Sequence, residues 1–181
     1  MAFQFDSTPK SATANSYISV EAADDMAYGL INGQSWLDLA SHQKQALLVQ
    51  ATSRLDIETW GGAPTSTEQH LQWPRNWITN RSYAAGSSAY LDADTIPATL
   101  EKATFALAMH YLDEFLGNPT VSRQDMDRLN SMTIGPLSVT IQQRSEEKLP
   151  DLVTRMLRAI GSNAWMTGTP GANPSMIKLV R

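Results

Sequence analysis

The chain has 181 residues, enough for one domain with arms, and its 42% apolar content supports a packed core. Its net charge is −4 with no basic run, which argues against strong sequence-independent nucleic-acid binding and against a polybasic membrane patch. With no cysteine, disulfides, thiolate nucleophiles and Cys-ligated zinc are excluded. No N-terminal segment has the pattern of a secretory signal, and no run approaches about 18 apolar residues, so the expected site of synthesis and assembly is the cytoplasm.

Residues 1–16 are small and polar with Pro9 and no period, which predicts an arm that orders only on a partner. Ser19 reads as the N-cap of a short helix over 20–30, with Glu21 in its first turn and Val20, Ala23 and Ala27 on one face. Trp36 and Leu39 fall in a connector. Ser41 then caps a second helix over about 42–60, with Leu48, Ala51 and Leu55 on its face, supported by Leu47 and Ile57, and with Gly61 and Gly62 stopping it.

A long segment over 61–95 follows. It is Ser/Thr/Gly-rich at its edges but carries LQWPRNW at 71–77. An insert of this length with buried-looking aromatics reads as an anchored functional loop. In one reading Trp73 and Trp77 are stacking platforms and Arg75 a phosphate contact. In the other, which the scarcity of positive charge nearby favours, Trp73 plugs the loop onto the helices and Arg75 bonds backbone carbonyls or a carboxylate.

The stretch IPATLEKATFALAMHYLDEFLG at 96–117 predicts the central helix, roughly 30 Å long at about 1.5 Å per residue. Pro97 suits the first helical position, with Asp94 or Thr95 as cap, and Gly117 a left-handed stop. Leu100, Ala103, Leu107, Tyr111 and Phe115 recur at three- and four-residue steps and define the core face, widened by Ala108, Leu112 and Leu116. Lys102, Thr104, His110, Asp113 and Glu114 are left for the outside.

Residues 120–130 are polar, with a possible helical turn at 125–129. SMTIGPLSVTIQ at 131–142 alternates as two strands around Gly135-Pro136, a β-hairpin that is marginal in water on its own. A last helix over 149–159 follows, with Pro150 near its first turn and Leu152, Met156, Leu157 and Ile160 apolar. A Gly/Pro linker leads to SMIKLVR at 175–181. Four apolar residues in the five of MIKLV favour addition of this tail as a strand to a partner's sheet.

For chemistry the sequence offers little. His42, His70 and His110 lack metal-pair spacing, and HExxH, GxSxG and GxGxxG are absent. Asp92 and Asp94 read as a solvated loop before a helix, and Asp24-Asp25 and Glu146-Glu147 as surface pairs. The expectation is no catalytic residue, no metal and no cofactor.

Three segments taken in order carry a resemblance: NSYISVEAADDM at 15–26, QKQALLVQATSRLDIETWGG at 43–62 with LQWPR at 71–75, and IPATLEKATFALAMHYL at 96–112. IGPLSVTI at 134–141 adds to it. Together they resemble the DnaT-like single-stranded-DNA-binding family of tailed phages, which is similar to head–tail connector (adaptor, or head-completion) proteins. Met26 and Tyr28 stand where the family often has an aromatic pair.

The resemblance implies a mainly α fold, a small helical bundle around one long helix with a hairpin insertion and arms at both ends. It also implies a structural virion protein of the neck, assembled in the host cytoplasm. Such a protein forms a ring, commonly of twelve copies, between portal and tail, and DNA passes through its channel without sequence-specific binding. On this reading the domain spans 17–161, between an N-terminal arm at 1–16 and a C-terminal arm at 162–181. Met176, Ile177, Lys178, Leu179, Val180 and Arg181 dock on the portal. Trp73, Arg75, Trp77, Ile134, Pro136, Leu137 and Val139 meet neighbouring subunits or the tail. The alternative is a single-stranded nucleic-acid-binding module of phage replication.

Overall fold

The computed structural model describes residues 3–80, 88–116, 131–134, 137–140 and 149–161, the hairpin residues by backbone alone. The fold is mainly α: α1 (Val20–Tyr28), α2 (Gln34–Leu37), α3 (Ser41–Asp56), α4 (Ala98–Phe115) and α5 (Asp151–Ala159). The paired strands are β1 (Ala63–Pro64) with β2 (Arg75–Asn76), and β3 (Ser131–Ile134) with β4 (Leu137–Thr140), both antiparallel.

The central helix is α4, packed chiefly on α3 and α5. Thr65 Oγ1 donates to Ala93 O at 2.7 Å, so the chain enters α4 at the end where α3 finished, and α4 runs back along α3. Gly61 N–H reaches Gly161 O at 3.4 Å, which brings the C-terminal end of α5 to that same end. Leu48, Leu55, Leu100, Leu107, Leu112 and Leu157 are essentially fully buried between these helices. Each such side chain stabilises by about 1.5–3 kcal/mol.

The buried arc of α4 differs from the expected stripe. Leu100, Ala103, Leu107, Ala108 and Leu112 are buried as expected, but so are Thr104, Phe105 and Met109. Thr104, expected outside, satisfies its hydroxyl by donating to Leu100 O at 2.9 Å. Phe105 meets the edge of Trp36 with centroids 5.3 Å apart. Phe115 and Leu116, expected in the core face, are exposed because the last turn of α4 runs past the bundle. Pro97 is the N-cap rather than the first helical residue, and no side chain caps it. Gly117 lies outside the described residues.

The other helix boundaries shift similarly. Ser19 caps α1 by accepting from Ala22 N–H, but the helix stops at Tyr28. α3 begins one residue early, capped at Ala40, whose N–H donates to Gln43 Oε1 at 3.0 Å. It stops at Asp56, leaving Ile57 exposed and freeing Trp60 to turn inward. On α5 the buried set is Val153 and Leu157, flanked by Leu149 and Ile160, while Leu152 is exposed.

The connector with Trp36 is the short helix α2, and Trp36 is fully buried. Trp36 Nε1 and Lys44 Nζ both reach Asp24 Oδ1, at 2.8 and 2.9 Å. Asp24, expected as plain surface, therefore ties α1 to α2 and α3. Gly33 opens α2 hard against α1: a Cβ there would stand 1.8 Å from Ala27 O.

The N-terminal segment is likewise not an arm over 3–16. Asp6 accepts from Ser11 Oγ at 2.6 Å, Thr13 Oγ1 at 2.7 Å and Thr8 N–H at 2.9 Å. These bonds, Ser11 first, hold its carboxyl well below the usual carboxylate range. Asn15 N–H donates to Asp6 O at 2.8 Å, and Ala14, Ser16 and Tyr17 are buried. Polar side chains closing a loop on themselves leave no apolar period to read.

Candidate interaction surface

The 61–95 segment is anchored rather than free, and LQWPRNW supplies the anchors. Trp73 is 1% exposed and meets Trp60 edge-to-face with centroids 5.4 Å apart. Its peptide to Pro74 is cis. Arg75 is 5% exposed. Its Nε donates to Gly61 O at 2.7 Å and Nη2 to Gly62 O at 3.0 Å. Nη1 donates to Gln72 O at 3.1 Å and Gln72 Oε1 at 2.8 Å.

One guanidinium thus pins the Gly61-Gly62 turn and the Gln72 corner together. The turn needs glycine at 62: φ is +61°, and a Cβ would lie 2.0 Å from Asn76 O. Burial lowers the Arg75 pKa, opposed by Tyr17 and Asp56. Asp56 accepts from the Tyr17 hydroxyl and, at 2.8 Å, from Gln72 N–H. Burial, with Asp56 adding, pushes the Tyr17 phenol far up, so it serves as a fixed donor.

Trp73 and Arg75 are therefore interior residues. Their assignment to inter-subunit or tail contact is corrected: neither side chain has surface to offer, and the structural reading of both holds. Trp77 differs. It takes a left-handed backbone, φ +62°, and is 69% exposed. This conformation lets Arg75 before it and Ile78 after it both face inward while the indole points out.

Beyond Trp77 the chain pairs again. Leu91 N–H donates to Ile78 O at 2.8 Å, Asn80 N–H to Ala89 O at 2.9 Å, and Thr79 bridges to Tyr90. Tyr90 is 52% exposed. Directly opposed residues share a face, so Tyr90 shares the outer face with Thr79 while Ile78 and Leu91 turn to the core. Tyr90 carried no sequence signal of its own; only the Thr79 pairing places it.

Of the remaining expected contact residues, Ile134, Leu137 and Val139 stand in the paired strands β3 and β4. Pro136 and Met176, Ile177, Lys178, Leu179, Val180 and Arg181 lie outside the described residues, as does 125–129.

The electrostatics are one-sided. The described residues hold fourteen Asp and Glu against seven Lys and Arg. Lys10 pairs with Asp94, Lys44 with Asp24, Arg54 with Glu58 and Arg155 with Asp151. With Arg75 spent on carbonyls, five of the seven cations have a partner within the chain, the Lys10–Asp94 and Arg155–Asp151 pairs standing at the surface. The remaining seven Lys and Arg of the chain, with only four carboxylates, stand in the other segments.

Among the described residues no group of three His, Asp or Glu could hold a metal ion. Asp92 serves its own loop, accepting from Asp94 N–H at 3.0 Å and Thr95 Oγ1 at 3.1 Å. His110 faces Glu114 at 3.6 Å one turn on, an ordinary helix-surface pair. A polar recess of about 290 Å³ lies between Asp6, Thr8, Ser19, Glu21, Ser41 and Gln45, but the Asp6 carboxylate there already accepts three hydrogen bonds. No described helix is long and apolar enough to cross a membrane.

Residues 1–181 match the sequence profile of a family described as "Putative DnaT-like ssDNA binding protein". The chain belongs to this DnaT-like family. No curated protein and no solved structure matches it. The family's description names single-stranded DNA binding and says nothing of a head–tail connector.

Proposed function

We propose that this DnaT-like chain acts by assembly, not catalysis, as a ring-forming head–tail connector of a tailed phage. It bridges portal to tail and surrounds the channel through which DNA leaves. The charge of the described body carries this reading. Twice as many carboxylates as cations, with most cations already engaged, repel a polyanion and let DNA slide past without sticking. Trp77, exposed on a strained backbone, and the β3–β4 hairpin offer contacts to neighbouring subunits or the tail. The apolar tail 175–181 offers a strand to the portal.

The family's description favours a second reading, binding of single-stranded DNA. The residues that would do it are not Trp73 and Arg75, which are interior, but Trp77 and Tyr90, whose exposed rings suit base stacking.

A fluorescence-anisotropy titration with labelled oligo(dT) over a salt series, run beside negative-stain imaging with and without portal-bearing capsids, separates the two. The connector reading expects weak binding indifferent to Trp77→Ala, and rings on portals that are lost when residues 175–181 are deleted. Tight, salt-dependent binding abolished by Trp77→Ala, with no attachment to portals, establishes the second reading and overturns the first.

A further inference from the structure

The register of the β3–β4 pair sorts its eight residues by chemistry. The partners are Ser131 with Thr140, Met132 with Val139, Thr133 with Ser138, and Ile134 with Leu137. Directly opposed residues share a face, and alternate residues along a strand share it too. One face therefore carries Met132, Ile134, Leu137 and Val139, all apolar. The other carries Ser131, Thr133, Ser138 and Thr140, all hydroxyl. Among the described residues both outer edges of this two-stranded sheet are unpaired, and natural sheets guard such edges with charge, proline or a bulge. Neither strand contains a charged residue or a proline.

We infer that the occupant of these edges is a second copy of this chain. The β4 edge of one copy pairs with the β3 edge of the next, so that hairpins join into a continuous antiparallel array. The inference rests on the ring reading and specifies its interface. Charge supports the choice: the described body is strongly acidic and repels its copies, whereas the hairpin strands are neutral and meet without that repulsion. Strand polarity allows it, because β4 and the next β3 run in opposite directions when the copies are related by rotation. Closure of such an array removes every edge.

Area explains why closure is needed. Four residues at about 3.4 Å each and two strands at about 4.8 Å make a face of roughly 130 Å². A stable pair covers about 800 Å² per partner. Hairpin pairing therefore acts together with body contacts around a ring and not as an isolated dimer.

Proline tests the edges one at a time. In a two-residue hairpin the pair next to the turn is hydrogen-bonded and the following pair is not. The backbone N–H groups of Thr133 and Ser138 therefore point outward, and proline at either position blocks one edge while sparing the hairpin's own bonds. Mass photometry and sedimentation across a concentration series read the result, with far-UV circular dichroism and Tm as controls for folding.

The expected outcome is that wild type forms multi-copy species while Thr133→Pro and Ser138→Pro are each monomeric at the same concentrations. Mixing the two variants restores one competent edge pair that cannot continue into a ring, so nothing larger than a one-to-one dimer forms. Oligomers that survive both prolines, or a mixture that yields species larger than a dimer, overturn edge pairing and leave the ring reading standing. A wild-type chain that stays monomeric in solution and forms no ring on portal-bearing capsids overturns both.

Discussion

Arg75 offers the sharpest test of how the 61–95 segment is held. In Arg75→Ala four acceptor contacts disappear: Gly61 O, Gly62 O, Gln72 O and Gln72 Oε1. A hydrogen bond to a charged group contributes about 1.5–3 kcal/mol, and a buried acceptor left without a donor costs about 1–3 kcal/mol. The four bonds share one guanidinium and two chain segments, so they do not add. A net loss of about 3–4 kcal/mol is expected. Arg75→Lys should recover only a minor part of this, because one ammonium on a single stem cannot span both glycine carbonyls and the Gln72 corner.

Trp77 is the internal control, two residues away and exposed. Trp77→Ala should change stability by no more than about 0.5 kcal/mol. Trp77→Gly should be neutral or stabilising, since glycine adopts φ +62° without the roughly 1 kcal/mol cost an L side chain bears there. Urea unfolding followed by tryptophan fluorescence measures the midpoints, with a constant m-value required for the comparison. An Arg75→Ala midpoint equal to wild type refutes the anchoring argument, as does a Trp77→Ala loss as large as that of Arg75→Ala.

Two further predictions concern how the N-terminal half is fixed. Gly33→Ala should cost at least about 2 kcal/mol by thermal melt, because the new Cβ meets the Ala27 carbonyl at 1.8 Å and backbone cannot give way cheaply; a melt unchanged from wild type contradicts that close approach. Asp6 should make stability fall in acid: its folded pKa lies below its ordinary 3.8, so its contribution is complete above about pH 5 and is lost as pH drops through and below about 4. Asp6→Asn should remove that part of the acid dependence, and urea midpoints at pH 3 and pH 7 that show no difference in slope between the two proteins rule it out.

What the sequence made legible follows from periodicity. The α4 face over Leu100, Ala103, Leu107 and Leu112 was readable because one side of a helix meets one core. The burial of Thr104, Phe105 and Met109 was not, because α4 lies between partners on more than one side and a single-stripe reading has no term for that. Helix ends moved by one to four residues where local hydrogen bonds decided them: Gln43 reaching back to Ala40, or Trp60 leaving the helix to meet Trp73. The ordering of residues 3–16 was invisible because it rests on side chain to backbone bonds around Asp6, which have no period. In the candidate site, Trp73 and Arg75 were recognisable as anchors from the lack of positive charge around them, but their assignment to contacts did not follow. Tyr90 could not be singled out, since its outward face depends on pairing with Thr79 across a long loop.

The distribution of charge bears on both functional readings. If single strands bind this chain, the phosphates must be met where cations are, and the described body has committed three of its seven to holding itself together: Lys44 to Asp24 beneath α2, Arg75 to the loop and Arg54 to Glu58 at the end of α3. Among the described residues the two exposed rings, Trp77 and Tyr90, have no basic groove beside them to track the backbone, which would give base contacts with little electrostatic attraction. A salt-insensitive, weak affinity is the signature of that arrangement. The same body is well suited to standing beside a polyanion without holding it, provided its copies are joined by something other than charge. The neutral hairpin is the described element with that property, which is why its edges, rather than the aromatic loop, are the place to test whether the chain assembles.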